Sequence, residues 1–66
     1  MLIKDETMAK HEKFSIIKKR LESKGYELVR INGSHHIFSK KGSPIVSIPV
    51  HKGLVKPYYV RQIDKL

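Results

Sequence analysis

The stretch YELVRINGSHHIFS, residues 26–39, decides the fold of this 66-residue chain. Residues 26–31 are rich in β-forming side chains and predict a strand. Asn32-Gly33 comes next and is the strongest two-residue hairpin signal in the chain, because both residue types tolerate positive φ. A second strand, antiparallel to the first, is therefore expected at residues 34–39.

A third strand is predicted at residues 45–50, after a polar turn. Val46, Ile48 and Val50 alternate there with small or polar residues, which is the period of a half-buried strand. Pro49 has no backbone N–H to donate, so this strand is expected at an edge of the sheet.

Helical periodicity precedes the three strands. Within residues 8–24, Phe14, Ile17 and Leu21 recur at spacings of three and four, which predicts an amphipathic helix. Gly25 then supplies the left-handed residue that commonly ends a helix. His11 would lie on the solvated side of this helix.

A second helix is predicted after the strands, and it begins at Pro57, since proline suits the first helical position. Tyr59, Ile63 and Leu66 would form its apolar side, and residues 51–55 would be a plain connector. The predicted class is α+β, with a three-stranded antiparallel meander and two helices on one face. The other face would then meet solvent or a ligand.

Charge is segregated along the chain, which favours a polyanionic partner. Fourteen Lys and Arg face six Asp and Glu, for a formal charge of +8, and no acid occurs between Leu28 and Ile63. Nucleic acid is the partner that this balance suits best. The candidate phosphate-binding cations in that interval are Arg30, Lys40, Lys41, Lys52, Lys56 and Arg61.

The composition disfavours several other classes. The chain has no cysteine, so disulfides, thiolate chemistry and cysteine-ligated zinc are excluded, and a reducing compartment is favoured. It has no apolar run of the roughly 20 residues that cross a bilayer. A single cytoplasmic domain at residues 8–66 is expected, without membrane association, preceded by a flexible leader at residues 1–7.

Histidines are the candidates for proton transfer near neutral pH. His35 and His36 are adjacent, so strand alternation places them on opposite faces. His51 follows the third strand and could come near either of them. A metal site is disfavoured because an i, i+1 pair suits one ion poorly and no carboxylate lies nearby in sequence. A serine triad at Ser34 lacks an acidic partner.

RNA cleavage needs fewer protein groups than a metal site or a serine triad, so it is compatible with a domain of this size. The 2′-hydroxyl of RNA can attack the neighbouring phosphate, so the substrate supplies its own nucleophile. One histidine can take the proton, and basic groups can stabilise the charge that develops on the phosphate.

A set of short motifs runs through residues 14–66, and the turn Gly33-Ser34-His35-His36 is the most specific of them. The others are Gly25-Tyr26, Arg30, Ile37-Phe38, Val46-Ser47-Ile48-Pro49-Val50-His51 and Ile63. In these motifs the chain resembles the HicA-type toxins, the mRNA-cleaving members of HicA/HicB toxin–antitoxin modules.

The resemblance implies a double-stranded-RNA-binding-like α-β-β-β-α fold and a metal-independent endoribonuclease held inactive by a HicB-type antitoxin. It implies that His35 is the catalytic histidine, while His36 remains an alternative. His51 would assist in catalysis or join the six cations in binding RNA. Two other readings stay open, namely a double-stranded-RNA-binding module without catalysis and a module whose basic face engages an acidic protein.

Overall fold

The computed structural model describes residues 10–66 of the chain. Its elements in chain order are β1 (Glu12–Lys13), α1 (Phe14–Ser23), β2 (Glu27–Asn32), β3 (His35–Ser39), β4 (Val46–Pro49), β5 (Leu54–Val55) and α2 (Pro57–Asp64). The predicted α+β class is confirmed, since a helix, an antiparallel β2-β3-β4 meander and a second helix follow one another. The leader predicted at residues 1–7 lies outside the described residues.

The core lies between the three-stranded sheet and the two helices. Ile17 and Leu21 from α1, Ile63 from α2, and Phe38 and Ile48 from the sheet are all at most 2% exposed. Because successive strand residues point to opposite faces, the residues beside Phe38 and Ile48 point away from the helices. One face of the sheet is therefore covered, and the other is open.

On the helical side of the sheet, the side chain of Arg20 forms ion pairs with two other elements. Its guanidinium reaches Glu12 of β1 at 3.5 Å and Asp64 of α2 at 3.7 Å. The apolar side predicted for α2 is confirmed for Tyr59 and Ile63, which pack into the core. The prediction for Leu66 is wrong, because α2 ends at Asp64 and Leu66 remains 49% exposed.

Pro49 lies on an edge strand, as predicted, because β4 pairs only with β3 within the three-stranded sheet. In the register of β3 against β4, His35 lies opposite Pro49 and Phe38 lies opposite Val46. On the other side of β3, a register shift between Leu28 and Arg30 marks a bulge in β2. Such a bulge re-aims the side chains that follow it.

The first helix begins at Phe14, so the prediction of helix is wrong for residues 10–13, while residues 8 and 9 lie outside the described part of the chain. Glu12 and Lys13 are extended instead and pair with Val55 and Leu54. The N–H of Phe14 donates to the carbonyl of Gly53 at 2.8 Å, which fixes the start of the helix. His11 therefore precedes α1 rather than lying on it, and the predicted connector at residues 51–55 contains β5.

The hairpin turn lies one residue later than its sequence signal predicts. Asn32 is paired with His35, so the two-residue loop is Gly33-Ser34 and β3 starts at His35. Gly33 has φ +64°, and Ser34 is not in the left-handed region. Positive φ at the first loop residue alone is the type II′ arrangement, which matches the right-handed twist of the strands.

Candidate active site

His35 opens β3 and lies on the open face of the sheet, with its side chain exposed. Its strand partners are Asn32 of β2 and Pro49 of β4, so it sits at the turn end of the central strand. Its Nδ1 lies 3.3 Å from the Oγ of Ser47. Within residues 10–66 the structure shows this polar partner for Nδ1 and none for Nε2.

His36 lies on the covered face, so the prediction that the two histidines point in opposite directions is confirmed. Its ring packs on Phe14 of α1, with the ring centroids 4.5 Å apart and the planes at 56°. Its Nδ1 is 3.2 Å from the carbonyl oxygen of Ser34. A carbonyl can only accept a hydrogen bond, so this nitrogen carries the proton and donates it.

The Ser34 carbonyl joins His36 to the edge strand. It also accepts the backbone N–H of Val50 at 2.8 Å. His36 thus holds the Gly33-Ser34 turn against β4 and against the first helix. The ring of His36 therefore has a structural role in packing and hydrogen bonding, whereas the ring of His35 is exposed on the other face.

Arg30 is the candidate cation that lies beside His35. It is paired with Ile37, which is two residues along β3 from His35, so Arg30 and His35 are diagonal neighbours on the open face. Such neighbours have Cα atoms about 7–8 Å apart, within reach of a long side chain. Arg30 is exposed and free to turn toward an anion bound at His35.

His51 and Lys52 form a second hairpin turn just beyond β4. His51 and Leu54 exchange both backbone hydrogen bonds, at 3.0 and 2.9 Å, while Lys52 has φ +54° and Gly53 has φ +77°. Two left-handed loop residues define a type I′ turn. Since Val50 is bonded to Ser34, this turn lies at the same end of the sheet as His35, and both of its polar side chains are exposed.

The remaining candidate cations lie elsewhere. Lys40 and Lys41 are in the β3–β4 turn, and five strand steps separate Lys40 from His35, a span of about 17 Å. Lys56 precedes α2. Arg61 lines a groove of about 440 Å³ between α2 and residues 10–12, together with Asp64. The predicted set therefore does not form a single patch.

Of the four Asp and Glu residues that the structure describes, three form ion pairs on the helical side and the fourth lies at the far end of the sheet from His35. Glu12, Glu22 and Asp64 form ion pairs with Arg20 or Lys18 on the helical side. Glu27 is on β2 but is paired with Ser39, at the far end of the sheet. Arg30 and the Lys52 turn bring positive charge to the end of the sheet where His35 lies, which favours an anionic ligand.

Ser47 is a site residue that the sequence analysis did not single out. The alternation in β4 placed it on the open face, but only the register of β3 against β4 shows that its hydroxyl meets His35. Nearby, the chain offers an exposed imidazole, a hydroxyl and a guanidinium on one surface. This set can move a proton and hold a phosphate, and no three potential metal ligands cluster among residues 10–66.

Comparison with known proteins gives one family. The family model described as HicA toxin of bacterial toxin-antitoxin matches residues 14–66. That interval begins at the first residue of α1 and includes the whole β2-β3-β4 sheet and α2. Searches of curated proteins and of solved structures gave no match. In the part of the chain that the structure describes, no helix is long and apolar enough to cross a membrane.

Proposed function

Because this chain belongs to the HicA toxin family of bacterial toxin–antitoxin systems, we propose that it is a toxin endoribonuclease that cleaves mRNA in the cytoplasm. His35 on the open face of the sheet is its catalytic residue. The single observation that carries the proposal is the position of this ring, which is exposed, flanked by Arg30 and at the opposite end of the sheet from Glu27.

The reaction uses the nucleophile that RNA brings with it. His35 accepts the proton of a 2′-hydroxyl at Nε2 while the 2′-oxygen forms a bond to the adjacent phosphorus. The bond from phosphorus to the 5′-oxygen breaks, and that oxygen takes up a proton from water or from the imidazolium. The products are a 2′,3′-cyclic phosphate and a 5′-hydroxyl, and no metal or cofactor takes part in the proton balance.

Arg30 stabilises the charge that builds up on the phosphate during this step. A guanidinium suits the role because its planar donors match phosphate oxygens in pairs. His51 and Lys52, at the same end of the sheet, hold the backbone on one side of the cut. Lys40 lies just beyond β3, about 17 Å from His35, and with Lys41 it holds phosphates further along the RNA. Lys56 and Arg61 hold phosphates away from the open face.

The rate of such a centre is expected to be modest. One acid–base group contributes typically about 10²–10⁴-fold, and the contacts of His36 favour a structural role rather than a second proton-transfer role. Slow cleavage suits a growth inhibitor, since a few cuts in each message stop translation. An antitoxin of the HicB type is the proposed partner that holds the activity in check.

The activity class is tested with the purified protein and one oligonucleotide, before any substitution is made. Cleavage of the all-RNA strand should persist in excess chelator and should leave a 2′,3′-cyclic phosphate end. The control strand carries a 2′-O-methyl group at every nucleotide, so it keeps the phosphates but lacks the nucleophile, and it should bind without being cut. Loss of cleavage in chelator would contradict the proposal. Salt-sensitive binding of duplex RNA with no cleavage of any strand would favour the non-enzymatic binding module instead.

A further inference from the structure

The hydroxyl of Ser47 is the polar partner of the His35 ring within the described residues. It lies 3.3 Å from Nδ1, and the register explains why. Ser47 is directly opposite Ile37, and His35 is two residues from Ile37 on the same face of β3. Ser47 comes from β4 and Arg30 from β2, so His35 is flanked on both sides by neighbouring strands.

This contact can fix which nitrogen of the ring carries the proton. A neutral imidazole has one N–H and one lone pair, and a serine hydroxyl can donate or accept. If Nδ1–H donates to Ser47, the lone pair is on Nε2. If the hydroxyl donates to Nδ1, Nε2 carries the proton and cannot accept one from RNA.

We infer that Ser47 is a positioning residue that accepts a hydrogen bond from Nδ1–H of His35 and so leaves the lone pair of Nε2 free for substrate. The inference rests on the proposed function, because a proton acceptor at Nε2 is what the cleavage step requires. The orientation of a ring by a partner on its other nitrogen is a general requirement for histidine bases. Here a hydroxyl fills the place that a carboxylate takes in a serine protease.

A neutral hydrogen bond gives a smaller effect than a carboxylate would. Typical hydrogen bonds of this kind contribute about 0.5–1.5 kcal/mol, so their loss corresponds to roughly a two- to twelvefold change in a rate or an equilibrium. Ser47→Ala should therefore lower kcat about two- to twelvefold and leave KM nearly unchanged. Ser47→Thr keeps the hydroxyl and should restore most of the rate.

Ser39→Ala is the matched control. Ser39 lies on the same face of the sheet but at the opposite end of β3, where it pairs with Glu27. The Ser39→Ala substitution removes a serine hydroxyl from a strand, as Ser47→Ala does, but at a position away from His35. Ser47 is exposed and Ser39 is half-buried, and neither side chain belongs to the core cluster, so all three variants should fold; circular dichroism of each checks this before any rate is compared.

The test has two arms on the full-length protein. In the first, ¹⁵N-labelled histidine is observed by long-range ¹H–¹⁵N correlation at about pH 8.5, where imidazoles are neutral. The wild type, Ser47→Thr and Ser39→Ala should show His35 protonated mainly at Nδ1, and Ser47→Ala should shift the population toward Nε2–H. In the second, kcat and KM are measured for RNA cleavage by the same four proteins.

The two arms separate failure of the inference from failure of the proposed function. An unchanged His35 tautomer in Ser47→Ala, or a wild-type ring already protonated at Nε2, overturns the positioning role whatever the rates are. Equal kcat for Ser47→Ala and Ser39→Ala overturns it as well. If no protein cleaves RNA, the proposed function fails, while the tautomer populations still decide whether Ser47 orients the ring.

Discussion

Lys52 occupies a backbone conformation that does not suit it, and replacing it should stabilise the protein. Its φ of +54° is in the left-handed region, where a residue with a Cβ is disfavoured by roughly 1–2 kcal/mol. Lys52 and Gly53 form the loop of a type I′ turn, and Asn-Gly is the pair that this turn prefers. Lys52→Asn should recover about half of the cost, which is about 0.5–1 kcal/mol.

The gain is measurable because the domain is small. For domains of 60–100 residues, 1 kcal/mol shifts Tm by roughly 4–8 °C, so Lys52→Asn should raise Tm by about 2–8 °C in thermal unfolding followed by circular dichroism. Lys41→Asn is the control, because it removes the same charge from a loop residue that is not in the left-handed region. If the two variants have the same Tm, the strain attributed to Lys52 is refuted, since relief of charge repulsion would explain both.

Further expectations follow from the same turns and contacts. Lys52→Asn should weaken RNA binding and lower the slope of log Kd against log salt concentration by about 0.7, the value for one contact to a single-stranded phosphate. If this slope is unchanged, Lys52 does not contact the RNA. His36→Ala should lower the free energy of unfolding by about 1–3 kcal/mol, because it removes the contact with Phe14 and the hydrogen bond to Ser34. His36→Phe should keep the ring packing and most of the cleavage rate. Loss of cleavage in a folded His36→Phe would assign chemistry to His36. Gly33→Ala and Gly42→Ala both place a Cβ at positive φ in open space, so each should cost roughly 1–3 kcal/mol. Only Gly33→Ala should also slow cleavage at temperatures where both are folded, and equal rates would show that the turn does not orient His35.

The α+β order could be predicted because each element has a strong local signal. The alternation of Val46, Ile48 and Val50 fixed one face of β4, and the spacing of Ile17 and Leu21 fixed one face of α1. These signals depend only on neighbours in sequence and on the need to bury apolar side chains.

The errors lie where distant backbone segments determine local structure. Residues 12 and 13 are compatible with a helix, but pairing with Leu54 and Val55 makes them extended. Asn32-Gly33 is a good type I′ loop, but the pairing of Asn32 with His35 shifts the loop to a type II′ turn at Gly33-Ser34. A tertiary partner of this kind leaves no mark on the local sequence.

The candidate site was predictable in part. The adjacency of His35 and His36 predicted that they lie on opposite faces, but parity alone could not say which of them is covered. The contact between Phe14 and His36 decides this, and it depends on how α1 packs on the sheet. Ser47 lay beyond sequence reasoning for the same reason, because a one-residue change in register would remove it from His35.

The most direct measurement is the initial rate of cleavage of one RNA oligonucleotide by the wild type, His35→Ala and His36→Phe, each compared at equal folded fraction. If His35 on the open face is the proton acceptor, His35→Ala should be slower by about 10²–10⁴-fold with an unchanged Tm, while His36→Phe stays within a few-fold of the wild type. Wild-type cleavage by folded His35→Ala would contradict the assignment of the chemistry to the open face.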